Sequence, residues 1–115
     1  TLGAEWRQYE DIFPAIAKSP IQQVAIECRN SRVPLDLLAA LPGKVIQAGV
    51  IDVASDTVET AENVVKVIEA VSKFVPVSNI VATTNCGMAP MRRDIAEAKL
   101  MALGAGAKLA RQKLG

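Results

Sequence analysis

The chain has 115 residues, half of them apolar, which suffices for one ordinary folded domain and argues against disorder. Thirteen basic residues balance twelve acidic ones, so charge gives no reason to expect nucleic acid or an anionic membrane as a partner. Two cysteines are too few for a disulfide scaffold, no apolar run approaches the roughly 20 residues of a membrane span, and the start is not signal-like, so the sequence predicts a cytoplasmic protein.

The predicted elements alternate between helices and strands along the whole chain. A first helix over 5–18 repeats apolar residues at helical spacing, and Ser19-Pro20 ends it. Strands are predicted at 22–28, 44–53 and 79–84. The helices between and after them are predicted at 34–41, from the capping run Ser55-Asp56-Thr57 to about 74, and at 91–113. Because Thr1 opens the chain close to a helical pattern, we expect a fragment of a longer protein.

This order of elements is typical of βα units, whose strands lie parallel and are joined by right-handed crossovers. Sequential crossovers of one hand place every helix on the same face of the sheet and leave the other face bare. Parallel sheets are normally covered on both faces. We therefore expect an α/β fold in which residues 1–115 form a single-domain fragment, part of a (β/α)8 barrel. Self-association of the fragment would also cover the bare face.

Alternation along each strand predicts which side chains face the barrel interior. Counting back in twos from the two strand ends selects small or polar residues. The predicted interior set is Gln23, Ala25, Glu27, Ala82, Thr84 and Cys86. The predicted helix-facing set is Val24, Ile26, Val81 and Thr83.

Active sites of parallel sheets lie at the carboxyl ends of the strands. Glu27 with Cys28 is predicted after the first strand, Asp52 after the second, and Asn85 with Cys86 after the third. A carboxylate and a thiolate can both bind zinc, but a catalytic zinc needs about three protein ligands. The chain contains no histidine, which excludes histidine-based triads and histidine-only metal sites within it.

Each of these residues also has a simpler interpretation. Cys28 points away from Glu27 in the predicted strand, and we interpret it as a small buried hydrophobe. For Cys86, in the tight loop Asn-Cys-Gly, the residues leave a ligand and a buried hydrophobe equally open. Glu27 can be an exposed acid at a strand end, and Asp52 can brace its loop or cap the next helix.

Three segments carry a family resemblance: VAIE (residues 24–27), GVIDVAS (49–55) and NCGM (85–88). In this order they resemble the C-terminal catalytic barrel of the cobalamin-independent methionine synthases, over roughly residues 20–113. The resemblance implies a zinc enzyme that transfers a methyl group from methyltetrahydrofolate to the thiol of homocysteine. It implies Glu27 and Cys86 as two zinc ligands, with a His-x-Cys pair upstream of Thr1 as the others. Asp52 would orient substrate or support the site.

One position departs from the family pattern. Full-length methionine synthases carry a histidine where this chain has Ala54, and that histidine is thought to help move a proton to the departing folate. The alternatives are therefore a related zinc-dependent alkyltransferase that uses another small thiol, such as coenzyme M, or a corrinoid methyl donor. A third alternative is an inactive barrel fragment that forms a homo-oligomer.

Overall fold

The computed structural model describes residues 7–31 and 33–115. In that part of the chain the strands are β1 (Gln23–Glu27), β2 (Val45–Ile51) and β3 (Ile80–Thr84), and the α-helices are α1 (Phe13–Lys18), α2 (Ala61–Ser72) and α3 (Arg93–Leu114). Short 3-10 helices span Arg7–Glu10, Leu35–Ala40 and Val77–Asn79. The predicted alternation of helices and strands is confirmed, apart from residues 5 and 6, which lie outside the described residues.

The first predicted helix is divided into two. A 3-10 turn covers Arg7–Glu10, and α1 begins at Phe13 with Pro14 in its first turn. Proline has no N–H group, so it is tolerated at the start of a helix and disfavoured inside one. The side chain of Phe13 is buried and lies against Tyr9, with 5.7 Å between the ring centroids.

The sheet has the order β1-β2-β3 and both strand pairs are parallel, as the alternation of strands and helices along the chain predicts. Helices α2 and α3 pack together and lie on the same face of the sheet. Beneath them Ile46, Ala48 and Val50 of β2 are completely buried. Gly106 of α3 allows the close approach of the two helices, because an added Cβ there would lie 2.4 Å from Val64. The core therefore lies between β2 and these helices, and it extends to Phe13 of α1 and to Leu38 and Leu41 at the second 3-10 helix.

The opposite face of the sheet is open in the described residues. Ala25 and Glu27 of β1 are exposed on it, which confirms the predicted interior register of that strand. The predicted register of β3 is wrong. Ala82 pairs with the buried Ala48 and faces the helices, whereas Val81, on the open face, is 47% exposed. The strand ends at Thr84 and the chain then bends, so the period of two does not extend to Cys86.

Helix α2 begins later than predicted. Its N-cap is Thr60, whose hydroxyl accepts a hydrogen bond from the Asn63 amide (3.1 Å), while the Asn63 side chain accepts one from the Thr60 amide (3.1 Å). The predicted caps Ser55-Asp56-Thr57 belong to the loop before the helix. No helix in the described ranges is long and apolar enough to cross a membrane.

Candidate metal and substrate site

The two predicted zinc ligands lie at the same end of the sheet. Glu27 is the last residue of β1, and its register partner Gly49 in β2 pairs in turn with Thr83 of β3. Cys86 lies two residues after the end of β3, and the Thr84 hydroxyl donates a hydrogen bond to the Cys86 carbonyl oxygen (2.8 Å). Glu27 and Cys86 are both exposed, so the donor atom of each is accessible at the carboxyl edge of the sheet.

The donor chemistry of Glu27 and Cys86 fits part of a zinc site, since zinc accepts both carboxylate oxygen and thiolate sulfur. Within residues 7–31 and 33–115 there is no group of three or more His, Cys, Asp or Glu residues that could hold a metal ion. Glu27 and Cys86 alone are fewer than the about three protein ligands of a catalytic zinc, so their role as ligands stays a prediction.

Cys28 has a different environment from Cys86. Its side chain is buried, and its sulfur lies 3.4 Å from the Ile26 carbonyl oxygen. Burial raises the pKa of the Cys28 thiol to about 12, against an ordinary value of 9.0. Cys28 therefore stays a protonated thiol at neutral pH, and its interpretation as a small buried hydrophobe is confirmed.

The carboxylate of Asp52 is held by groups from two loops. The Asn30 side-chain amide donates to Oδ2 (3.0 Å) and the Ala54 backbone amide donates to Oδ1 (2.8 Å). Asn30 has a φ of 52°, a left-handed conformation that asparagine tolerates better than most residues. Asp52 thus braces its loop and does not cap α2, whose N-cap is Thr60.

These contacts also set the charge of Asp52. Partial burial raises the pKa of its carboxyl. The hydrogen bonds from Asn30 and Ala54 and the positive charges of Lys99 and Arg29 together outweigh burial, so the pKa lies below its ordinary value. The site therefore keeps a negative charge at this position at neutral pH.

A buried ion pair between Lys99 and Glu59 holds the backbone of Asp52 by hydrogen bonds. The ammonium of Lys99, completely buried in α3, donates to Asp52 O (2.8 Å), Thr57 O (2.8 Å) and Glu59 Oε1 (2.9 Å). All three of its donors are thereby used. The other oxygen of Glu59 accepts from the Asp52 amide (2.8 Å) and lies 3.4 Å from Arg29 Nε. The network ties the loop after β2 to α3 and to the loop after β1.

Sequence reasoning did not predict a role for Lys99 or Glu59. A signal was present, because Lys99, Gly106 and Ala110 share the buried face of α3, and a lysine on such a face needs an acidic partner. The identity of that partner was not predictable, since Glu59 lies 40 residues away along the chain.

Asn85, the residue before Cys86, crosses β2 to reach the loop after β1. Its backbone amide donates to Ile51 O (2.9 Å), and its side-chain amide donates to Arg29 O (2.9 Å). It lies directly over Gly49, where an added Cβ would be 2.3 Å from Asn85 Oδ1 and 2.8 Å from its Cα. Only glycine therefore leaves room for this arrangement at position 49.

The parallel βα fold is that of a known family of barrel enzymes. The family model described as the cobalamin-independent synthase catalytic domain matches residues 6–109, and the chain belongs to this family. The resemblance carried by the three sequence segments is thereby confirmed.

Particular relatives agree with this assignment. A solved B12-independent methionine synthase from a Shewanella species, in complex with selenomethionine, is 47% identical and superposes with a TM-score of 0.94 over 99% of this chain. The methionine synthases of Pyrococcus horikoshii and Saccharolobus solfataricus are 32% and 30% identical over 82% and 92% of this chain. The 2-hydroxypropyl-CoM lyase of Xanthobacter autotrophicus is 43% identical over 58% of it.

The chain spans about a third of the solved relative and 28% and 32% of the two archaeal methionine synthases. Its parallel βα units are those of a (β/α)8 barrel, which confirms the predicted fold class. In such barrels the catalytic residues lie at the carboxyl ends of the strands, where Glu27, Asp52 and Cys86 are found.

Proposed function

We propose that the complete protein transfers a methyl group from methyltetrahydrofolate to the thiol of homocysteine. By the complete protein we mean the full product of the gene that encodes this chain. Membership of the cobalamin-independent synthase family supports methyl transfer. The observation that carries the proposal is the exposure of Glu27 and Cys86 at the same edge of the sheet. Both cysteines of the chain are free thiols, which suits the reducing cytoplasm that the sequence predicts.

Glu27 and Cys86 would hold zinc, together with ligands from the remainder of the barrel. When bound there, zinc lowers the pKa of a coordinated thiol so that it is a thiolate, and hence a nucleophile, at neutral pH. On the family resemblance, the remaining ligands would be a His-x-Cys pair. This chain supplies one sulfur and one carboxylate oxygen on a rim whose loops are joined by hydrogen bonds.

Asp52 would orient the amino acid substrate. Its lowered pKa keeps the carboxylate ionised at neutral pH, and an ionised carboxylate attracts the ammonium group of homocysteine. The Asn30 amide and the Ala54 backbone amide hold its two oxygens, so the charge has a defined position. Holding the ammonium group in one place directs the thiol toward the metal edge of the site.

Zinc analysis of the complete protein tests the ligand assignment. We expect about one zinc per wild-type chain and loss of stoichiometric zinc in Cys86→Ala, because a sulfur ligand is removed. Cys28→Ala is the matched control and should retain zinc, since that thiol is buried and protonated. Retention of one zinc per chain in Cys86→Ala would exclude Cys86 as a ligand.

A second candidate keeps the zinc and changes the substrates. The 43% identity to 2-hydroxypropyl-CoM lyase favours it, as does Ala54 in place of the family histidine. The acceptor would then be another small thiol or the donor a corrinoid. Assays of methyl transfer to homocysteine with methyltetrahydrofolate as the sole donor separate the two candidates. Turnover in this assay supports the first candidate. No turnover there, together with alkylation of coenzyme M or with methyl transfer from a methylcorrinoid, supports the second.

A further inference from the structure

The residue before Cys86 makes the direct connection between the two strand ends that carry the predicted ligands. Asn85 donates its side-chain N–H to the carbonyl of Arg29, two residues after Glu27, although Asn85 and Arg29 are 56 residues apart in sequence. β2 lies between the two strands, so the Asn85 side chain must cross it. Gly49 of β2 is the register partner of Glu27, and Asn85 lies directly against Gly49 where its side chain passes over β2.

The path of Asn85 over β2 depends on its close contact with Gly49 as well as on its hydrogen bonds. Asn85 has its backbone amide bonded to Ile51 O and its side-chain amide bonded to Arg29 O, both at 2.9 Å. The backbone of Asn85 is thus tied to β2 and its side chain to the loop after β1. A methyl group on Gly49 would lie within 2.8 Å of Asn85 Cα and would push the backbone away from the sheet. Because Cys86 is the next residue, it would move too.

We infer that Asn85 and Gly49 are positioning residues that set the place of Cys86 relative to Glu27. This inference rests on the proposed function, since it assigns the two residues to the arrangement of the proposed zinc ligands. Neither residue is proposed as a ligand. Asn85 acts through the Arg29 carbonyl, and Gly49 acts by leaving room. Residues that orient metal ligands typically change metal affinity by about 10- to 100-fold when they are substituted.

The test measures metal binding by the complete protein with Asn85→Ala and Gly49→Ala. Zinc affinity is obtained by competition with a chelator, and Co²⁺ substitution reports the thiolate-to-metal absorption band of the cysteine ligands. We expect each variant to bind zinc about 10-fold or more weakly and to shift or weaken the Co²⁺ band. A purely structural defect would lower the melting temperature and leave the affinity and the band of the folded protein unchanged.

Two matched controls separate positioning from general destabilisation. Asn63→Ala removes another asparagine that bonds to backbone, in the capping box of α2, where its hydrogen bonds are with Thr60 rather than with Gly49, Asn85 or Cys86. Gly104→Ala adds a methyl group that meets nothing within 4 Å. Both should keep the wild-type zinc affinity within about twofold and the wild-type Co²⁺ spectrum. Circular dichroism selects the variants that remain folded, and either of the two test variants suffices.

The outcomes distinguish this inference from the function on which it rests. A wild-type protein that binds no zinc overturns the proposed function, and the inference with it. A wild-type protein that binds one zinc, with folded Asn85→Ala and Gly49→Ala of equal affinity, overturns the inference alone. Equal weakening in the test variants and in Asn63→Ala would also overturn it.

Discussion

Replacing Lys99 by methionine should strongly destabilise the protein. The Lys99 side chain is completely buried and its ammonium bonds to three oxygens, including that of Glu59, whose own side chain is 2% exposed. Methionine fills a similar space and removes the charge. The Glu59 carboxylate then remains buried, and the described partners that it keeps are the Asp52 amide and the Arg29 guanidinium.

Breaking a buried ion pair by removing one partner costs about 3–5 kcal/mol. Glu59 keeps the hydrogen bond from the Asp52 amide and the nearby positive charge of Arg29. We therefore expect the free energy of unfolding to fall by an amount at the lower end of that range, about 3 kcal/mol. A domain of this size has roughly 5–15 kcal/mol of stability in total, so the loss is a large share. The melting temperature should fall by roughly 12 °C, at about 4 °C per kcal/mol.

Urea unfolding at one fixed protein concentration measures the change in the free energy of unfolding. The dependence of that free energy on urea concentration should have the same slope in the wild type and the variant. Lys113→Met is the matched control, because it breaks an exposed pair of α3 and α2, Lys113 with Glu69 at 3.7 Å, and should cost less than about 1 kcal/mol. The double variant Lys99→Met/Glu59→Gln removes both charges and should recover more than half of the loss. A loss for Lys99→Met no larger than that for Lys113→Met would refute the reasoning.

Further predictions concern the cysteines and the open sheet face. In the folded 115-residue chain with zinc removed by a chelator, iodoacetamide should alkylate the exposed Cys86 rapidly and the buried Cys28 only after unfolding, as mass spectrometry of the peptides will show. Equal rates would contradict the assigned burial. Since the folded pKa of Cys28 is about 12 against 9.0 for an ordinary cysteine, its contribution to stability is full below pH 9 and is lost as pH rises toward 12. Urea titrations should therefore show a smaller alkaline loss in Cys28→Ala than in wild type, and identical losses would count against the shift. The 115-residue chain should self-associate to cover the face that bears Ala25 and Val81, and sedimentation as a monomer would sink this prediction.

Local patterns predicted the strands well and their side-chain directions only in part. The alternation in β1 is correct because the strand runs regularly to Glu27. In β3 it fails because the count started from Cys86, beyond the bend that ends the strand at Thr84. Alternation is a property of extended backbone, so it cannot be carried through a turn.

The start of α2 was also not predictable from the local sequence, although residues suited to capping precede it. Ser55-Asp56-Thr57 has suitable cap side chains, yet Glu59 turns inward to Lys99 and the helix begins after it, at the Thr60 cap. Capping chemistry is local and worth about 1 kcal/mol, whereas satisfying a buried lysine is worth more. The tertiary contact therefore decides where the loop ends.

The sequence alone determined the order of elements, the parallel sheet with its helices on one face, and the position of Glu27, Asp52 and Cys86 at strand ends. These follow from periodicity and chain connectivity, which are local or topological properties. Only the tertiary structure decided that Lys99 meets Glu59 and that Asn85 crosses Gly49 to reach Arg29. Such contacts join residues 40 and 56 positions apart, and they exist only once α3 and the strands have docked, because hydrogen bonds require atoms within about 3 Å.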